Sequence, residues 1–290
     1  MRELRELAGK LLLDGSVKVV IGYEEGPRGV RPIFVTDPAQ AEKLVFDTRC
    51  VHNLAAYLNP RRQHVAKLGK PAVVVKGCDA RAVAGLIREC QIKREEVVII
   101  AVRCGGVVRD PAQSLELTLD TVSDRCSGCE VREPKLFDYL LGTLPPPPPQ
   151  STRMQEKLEE LARMTPAQRW EFWSEHLARC TRCYACRQVC PLCFCVQCTA
   201  DKSRPQWIEP SPTLPANRAW QVMRALHQAG RCAGCLECER ACPANIPLGL
   251  LAKSVAQAVE RRFGYKTCDD PTVPAPMGVF STKDEQEFIQ

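Results

Sequence analysis

The sequence predicts two halves, an α/β region built on parallel strands and then an all-helical region. Three observations lead to that reading. The apolar runs at 72–75 and 97–102 are continuous rather than alternating, as strands buried on both faces of a parallel sheet are. Between them lies a stretch with helical spacing, so strand, helix and strand form a βαβ unit with a right-handed crossover. Beyond the unbroken proline run at 145–149, apolar residues recur every three or four positions and no strand-like run remains.

Along the chain, residues 1–8 begin an amphipathic helix and contain no apolar segment of the secretory type. Residues 17–23 and 33–35 read as strands. Asp37 suits an N-cap, with Pro38 at the first helical position, for a helix through about residue 46. Strand 72–75, helix 79–89 carrying Val83, Leu86 and Ile87, and strand 97–102 complete the α/β part, residues 1–144. The prolines favour an extended spacer, 145–150. Helices are expected at 166–178, with Trp170, Trp173 and Leu177 packing on one side, and at 215–230, with Trp220, Met223, Leu226 and His227 in helical register. A third spans 248–262 and stops near Gly264 as a C′ residue. The helical part takes 151–268, and 269–290 reads as an extended tail.

Composition narrows the classes. The chain has 290 residues, 45% of them hydrophobic, enough for two cores. It has no apolar stretch of membrane-spanning length, and its net charge of +6 is spread in short clusters that do not make a nucleic-acid footprint. Such clusters are solvated surface or a means of steering an acidic redox partner. Eighteen cysteines without an export signal point to a reducing cytoplasm and to metal ligation rather than disulfides.

The cysteines carry the chemistry. Cys180-x-x-Cys183-x-x-Cys186-x-x-x-Cys190-Pro191 recurs as Cys232-x-x-Cys235-x-x-Cys238-x-x-x-Cys242-Pro243. That spacing holds 4Fe-4S clusters, and the fourth cysteine often ligates the other cluster of a pair. On that rule one cluster takes Cys180, Cys183, Cys186 and Cys242, and the other takes Cys232, Cys235, Cys238 and Cys190. Zinc is the plainer alternative for any four-cysteine site. For the appended Cys193, Cys195 and Cys198 three readings stand: a further site with a distant fourth ligand, replacement of an assigned ligand, or packed thiols.

In the α/β half, Cys78 and Cys104 each come just after a strand and so fall at the carboxyl edge of the sheet, where such folds place ligands. Cys78 also opens a helix, whose dipole favours a thiolate. With Cys126 and Cys129 they complete the candidate third 4Fe-4S site, for which Cys50 is a substitute ligand; Cys90 reads as packing. Gly77, Gly105 and Gly106 flank these cysteines, either as contacts to a cluster or a flavin phosphate or as turn glycines. Asp79 reads as a helix cap, and none of His52, His64, His176 and His227 forms a catalytic dyad. No Gly-x-Gly-x-x-Gly fingerprint is present.

These residues carry two resemblances. The segment from Cys180 to Pro191, the helix at Trp220 and the segment from Cys232 to Pro247 resemble the α-helical two-cluster ferredoxin module of heterodisulfide reductase small subunits and of succinate dehydrogenase iron–sulfur subunits. Lys76-Gly77-Cys78-Asp79-Ala80-Arg81, Val102-Arg103-Cys104-Gly105-Gly106-Val107 and Cys126-Ser127-Gly128-Cys129 resemble the beta-subunit family of deazaflavin-reducing hydrogenases and formate dehydrogenases, over about residues 15–140. The second resemblance implies a cluster beside an FAD and exchange with a soluble hydride carrier. Two departures count against the flavin: the cluster module comes after the α/β part, and that part is short. The expectation is an α/β domain joined to an all-α ferredoxin-like domain, serving as an electron-relay subunit of a hetero-oligomeric cytoplasmic oxidoreductase with other redox subunits as partners. An FAD enzyme acting on a deazaflavin or nicotinamide, and a zinc-stapled scaffold, are the alternatives.

Overall fold

The computed structural model describes residues 1–280 and residue 282; the rest of the expected tail at 269–290 lies outside the described residues. Helix α1 (Arg2–Leu13) buries Leu4, Ala8 and Leu11. It precedes a five-stranded sheet of order β2-β1-β3-β4-β5, made of β1 (Val19–Gly26), β2 (Gly29–Val35), β3 (Pro71–Val75), β4 (Val98–Val102) and β5 (Tyr139–Leu141). β2 is antiparallel to β1, and every other pair is parallel. Helix α2 (Gly77–Arg88) is the crossover between β3 and β4. The two apolar runs read from the sequence are β3 and β4, and Val73, Val74, Ile99 and Ile100 are wholly buried.

Local chemistry explains where expectation and structure part. Asp37 caps as expected, accepting from the Ala39 N–H, but the element it caps is a 3-10 turn, Pro38–Lys43, because Leu44 turns extended to enter the core. α2 starts at Gly77, not Asp79. Asp79 is its third residue and reaches back to the Lys76 N–H at 3.4 Å. β5 pairs with β4 and has no strong apolar run to announce it.

The second region is helical: α3 (Arg153–Arg163), α4 (Pro166–Ala178), α5 (Ala185–Gln188), α6 (Leu214–His227), α7 (Glu237–Arg240) and α8 (Leu248–Phe263). Thr165 caps α4 in a reciprocal box with Gln168, and Gly264 ends α8 in the left-handed region at φ 61°. Trp173 and Leu177 pack inward, whereas Trp170, expected beside them, is exposed under the Arg218 guanidinium at 4.6 Å. Leu226 is exposed as well.

The regions share buried contacts. Leu192 joins the sheet-side core and lies over Gly85 of α2. Asn59 donates to the carbonyls of Pro191 at 2.9 Å and Cys193 at 3.3 Å. The proline run lies against the α/β region: Pro145 and Pro148 cover Gly105 and Gly106. The start of the tail docks there too, with Asp269 accepting from the Lys135 N–H at 2.7 Å.

Candidate metal centres

The carboxyl edge of the sheet gathers one set of thiols. β3 delivers Cys78 to the first turn of α2, and β4 delivers Cys104 just past its end. Cys126 and Cys129 come from a turn closed by the Cys129 N–H to Cys126 carbonyl bond, with Gly128 at φ 66°. All four line one small enclosed cavity together with Lys76, Arg125, Arg132 and Pro148. Backbone donors already point at the sulfurs: the Gly106 N–H at Cys104 and the Val107 N–H at Cys126, each at 3.3 Å. Burial, and then Asp79, push the Cys78 thiol well above its ordinary value, so desolvation outweighs the helix-end effect expected from the sequence. Burial raises Cys104 as well. Such thiols stay protonated unless a cation sits among them.

The helical region gathers two more sets, and their loops are built alike. Arg182 and Tyr184 of the first motif have φ of 56° and 60°, and Gly234 and Leu236 of the second have 69° and 52°. The residue before each second cysteine and the one after it therefore take the left-handed conformation, which curls Cys-x-x-Cys-x-x-Cys into a concave loop ending in the short helices α5 and α7. Burial raises the Cys186 thiol, and the charges of Cys180, Cys242 and Cys183 are near enough to raise it further. Cys190, Cys232, Cys235 and Cys238 line a separate cavity with Arg224. Cys190 of the first motif thus lies with the second motif's set, and Cys242 of the second lies within charge range of Cys186 of the first. Backbone N–H groups of Gly234 and Ile246 approach Cys232 and Cys242 at 3.4 and 3.5 Å. Burial pushes Cys238 up to about 12 and raises Cys232 and Cys235.

The set containing Cys232 lies between the other two. Cys235 is near enough to Cys78, and Cys186 to Cys238, for each charge to bear on the other. Among the described residues, no three Cys, His, Asp or Glu side chains close around a single ion. The sheet-edge and middle sets each line a cavity.

The remaining candidates divide. Cys193, Cys195 and Cys198 line a pocket shared with His227. Cys193 also reaches back to Cys190, and that thiol contact lowers Cys193 while raising Cys190. Cys50 is sealed in the sheet-side core, where burial pushes it up to about 12, and it does not line the sheet-edge cavity. Cys90 is not packing but exposed. Each glycine has a steric reason for being there. A Cβ on Gly77 would lie 1.6 Å from the Val131 carbonyl oxygen, and Cβ atoms on Gly105 and Gly106 would meet Pro145 and Pro148 at 3.0 and 2.9 Å.

Sequence reasoning missed the buried charges. Lys76 is 2% exposed and donates to Asp79 at 2.8 Å, to the Tyr23 hydroxyl at 2.9 Å and to the His52 carbonyl at 2.6 Å. Burial alone would lower its ammonium, but Asp79, Tyr23 and Cys78 together outweigh that and hold it well above its ordinary value. Arg125 and Glu237 pair at 3.3 Å with 5% and 3% exposure. His52 and Arg240 flank Glu237 and, with Arg125, overcome the burial that would raise it, holding it well below the usual carboxylate range. Lone charged residues between motifs give no periodic signal.

Two open clefts adjoin the thiols. One of about 540 Å³ has Cys78, Cys129 and Cys232 on its walls with Arg81, Lys253 and Lys266. The other, about 590 Å³, lies beyond β4 and β5 beside Cys104, Gly105 and Gly106. Both are of ligand size.

Fold and site define a protein of two regions, a mostly parallel α/β sheet with thiols at its carboxyl edge and a helical, cysteine-rich region carrying two cysteine motifs. No protein-family model matches the chain. The chain is a distant homologue, over nearly its whole length, of beta subunits of F420-dependent formate dehydrogenases. It is 24% identical to the F420-dependent formate dehydrogenase subunit beta of Methanocaldococcus jannaschii, across 92% of this chain and 90% of that protein. To the F420-dependent formate dehydrogenase 1 subunit beta of Methanococcus maripaludis it is also 24% identical, across 93% and 91%. The similarity therefore reaches into the helical region as well, beyond the 15–140 span expected from the sequence. Among the described residues no helix is long and apolar enough to cross a membrane.

Proposed function

We propose that the chain is an electron-transfer subunit of a multisubunit oxidoreductase, in which the sheet-edge, middle and outer cysteine sets each hold a 4Fe-4S cluster. The carrying observation is the grouping itself: twelve cysteines, scattered from Cys78 to Cys242, fall into three four-thiol sets with the Cys232 set between the other two. When bound, such a cluster supplies one-electron redox chemistry. The chain's own residues supply the thiolates, the N–H donors to their sulfurs and the burial that tunes potential. The paired Cys-x-x-Cys-x-x-Cys-x-x-x-Cys-Pro spacing favours a polynuclear group over a zinc ion, which draws four sulfurs to about 2.3 Å from one centre. The two-domain division at the proline run, with the ferredoxin-like module in 151–268, belongs to the same proposal, and so does a partner subunit that delivers or removes electrons.

Anaerobic purification tests this directly. The protein should carry about 12 iron atoms and as much acid-labile sulfide, and Cys78→Ser should carry about 8 while keeping the other two clusters' signals. A colourless zinc protein, or iron unchanged by Cys78→Ser, defeats the assignment.

A second reading has its own observation. The cleft of about 540 Å³ that touches both the sheet-edge and the middle set, with Arg81 and Lys253 on its walls beside Asp124, Glu130 and Glu260, has the size for a flavin. The chain would then exchange hydride with a deazaflavin, as the relatives' F420 dependence suggests, or with a nicotinamide. Equimolar FAD in purified protein, and turnover of the carrier by this chain alone, would favour it.

A further inference from the structure

Two arginines stand between the thiol sets, one in each gap: the Arg125 side chain is 5% exposed, and Arg224 is half-buried with its Nε enclosed. Arg125 lines the sheet-edge cavity and sends its guanidinium to the carbonyl of Cys235 in the middle set. A second arm goes to the Val51 carbonyl, and its Nε–H has no partner in the protein. The thiols that bear on it are Cys78, Cys126 and Cys235, from both sides of the gap. Arg224 repeats the arrangement one gap further on. It lines the middle cavity, donates to the carbonyl of Cys186 in the outer set at 3.2 Å, and also leaves its Nε–H unpaired. The thiols bearing on it are Cys238, Cys193, Cys190 and Cys186, again from both sides.

Electrostatics gives these placements a consequence. A buried cation is costly unless negative charge compensates it. Arg125 has Glu237, but among the described residues Arg224 has no acidic side chain within ion-pair distance. What faces Arg224 is sulfur. A four-thiolate cluster is a net anion that gains one more negative charge on reduction. A fixed guanidinium beside it, with a free N–H, favours the reduced form more than the oxidised one. Adjacent clusters also repel each other's added electron, and a cation in the gap offsets that repulsion for both neighbours.

We infer that Arg125 and Arg224 are positioning residues that raise the reduction potentials of the two sites each one separates: Arg125 those of the sheet-edge and middle sets, Arg224 those of the middle and outer sets. The inference rests on the cluster reading above.

The test is a redox titration of anaerobically purified full-length protein, monitored by electron paramagnetic resonance. Signals are assigned to the sheet-edge and outer sets by their loss in Cys78→Ser and Cys183→Ser. Arg125→Gln removes the charge and keeps an amide donor; it should lower the sheet-edge and middle potentials by at least a tenfold change in the reduction equilibrium, 59 mV for one electron. The outer signal should not move. Arg224→Gln should lower the middle and outer potentials and spare the sheet edge. Arg→Lys at either position keeps the charge and should restore most of the shift. Glu237→Gln, which removes the anion beside Arg125, should move the sheet-edge and middle potentials upward; it decides the matter if Arg125→Gln fails to retain iron. Shifts that are absent, uniform over all three signals, or equal in the Lys and Gln variants overturn the inference. Wild-type protein without iron would instead defeat the cluster reading beneath it.

Discussion

Lys76→Met puts the sheet-edge architecture under the heaviest load. Lys76 and Asp79 form an ion pair at 2.8 Å with 2% and 0% exposure, on either side of Cys78 in the chain. Removing the ammonium leaves Asp79 with the Lys76 backbone N–H at 3.4 Å and the Cys78 thiol at 3.7 Å as its hydrogen-bond donors. The Tyr23 hydroxyl keeps its bond to the His52 carbonyl at 2.6 Å, so the loss concentrates on the carboxylate. Stranding one member of a buried pair costs about 3–5 kcal/mol. Burial already raises Asp79 above its ordinary value against the pull of Lys76, and without that pull it rises further. The folded state of the variant then binds this proton more tightly than the unfolded chain, whose aspartate titrates near about 3.9. The deficit is therefore smallest in acid, below that unfolded value, and grows as pH rises through the raised folded value. Denaturant unfolding of the metal-free protein measures it across pH. Lys76→Met with Asp79→Asn removes both charges while the amide oxygen still accepts from the Lys76 backbone N–H, and should recover more than half of the loss at neutral pH. A single variant within about 1 kcal/mol of wild type, or a double variant no better than the single, would refute the argument that this pair, and not general packing, holds the Cys78 turn.

Two further substitutions read the backbone. Gly77→Ala would drive a Cβ to 1.6 Å from the Val131 carbonyl oxygen, in the wall of the sheet-edge cavity. Overpacking of this kind costs at least about 1–3 kcal/mol, and iron bound by the purified protein should fall toward roughly 8 atoms per chain. Cys90→Gly should do the reverse. Cys90 lies just past the end of α2 at φ 55°, with its N–H on the Ile87 carbonyl and the next N–H on that of Leu86, a helix stop that glycine makes without strain. The gain should be about 1 kcal/mol in thermal or denaturant unfolding, with iron content unchanged; loss of iron would mean that this exposed thiol is a ligand.

What was legible in the sequence was whatever local spacing encodes. Buried parallel strands declare themselves as unbroken apolar runs, so β3 and β4 were found, and with them the positions of Cys78 and Cys104 at one edge. The two repeated cysteine loops were legible because the left-handed residues at 182, 184, 234 and 236 make each loop a local structure. β5, only three residues long, arises from pairing with β4 and not from its own composition. The proline run reads as a spacer by its stiffness, yet Pro145 and Pro148 fit over glycines that a side chain would block, and nothing in a proline tract says what it lies against. Arg125 reaches Cys235 and Glu237, and Arg224 reaches Cys186, across more than thirty positions, so these contacts have meaning only once the distant segments are brought together.

Cys190 and Cys193 pose the sharpest question of ligand choice, since either could be the fourth sulfur of the middle set. The two thiols contact each other, and the contact raises Cys190 well above its ordinary value and lowers Cys193, as when one proton is shared. Acidity alone would nominate Cys193. Placement decides otherwise: Cys190 lines the middle cavity and bears on Cys232, Cys235 and Cys238, whereas Cys193 turns to the pocket of Cys195, Cys198 and His227 and accepts from the Gln228 amide at 3.5 Å. A cation entering the middle cavity would draw the proton from Cys190, the thiol that faces it, and leave Cys193 as a neighbour. Cys193→Ser should therefore keep about 12 iron atoms, and Cys190→Ser should lose roughly four. If the losses are reversed, Cys193 is the ligand, and the motif's fourth cysteine has been displaced by the one three residues downstream.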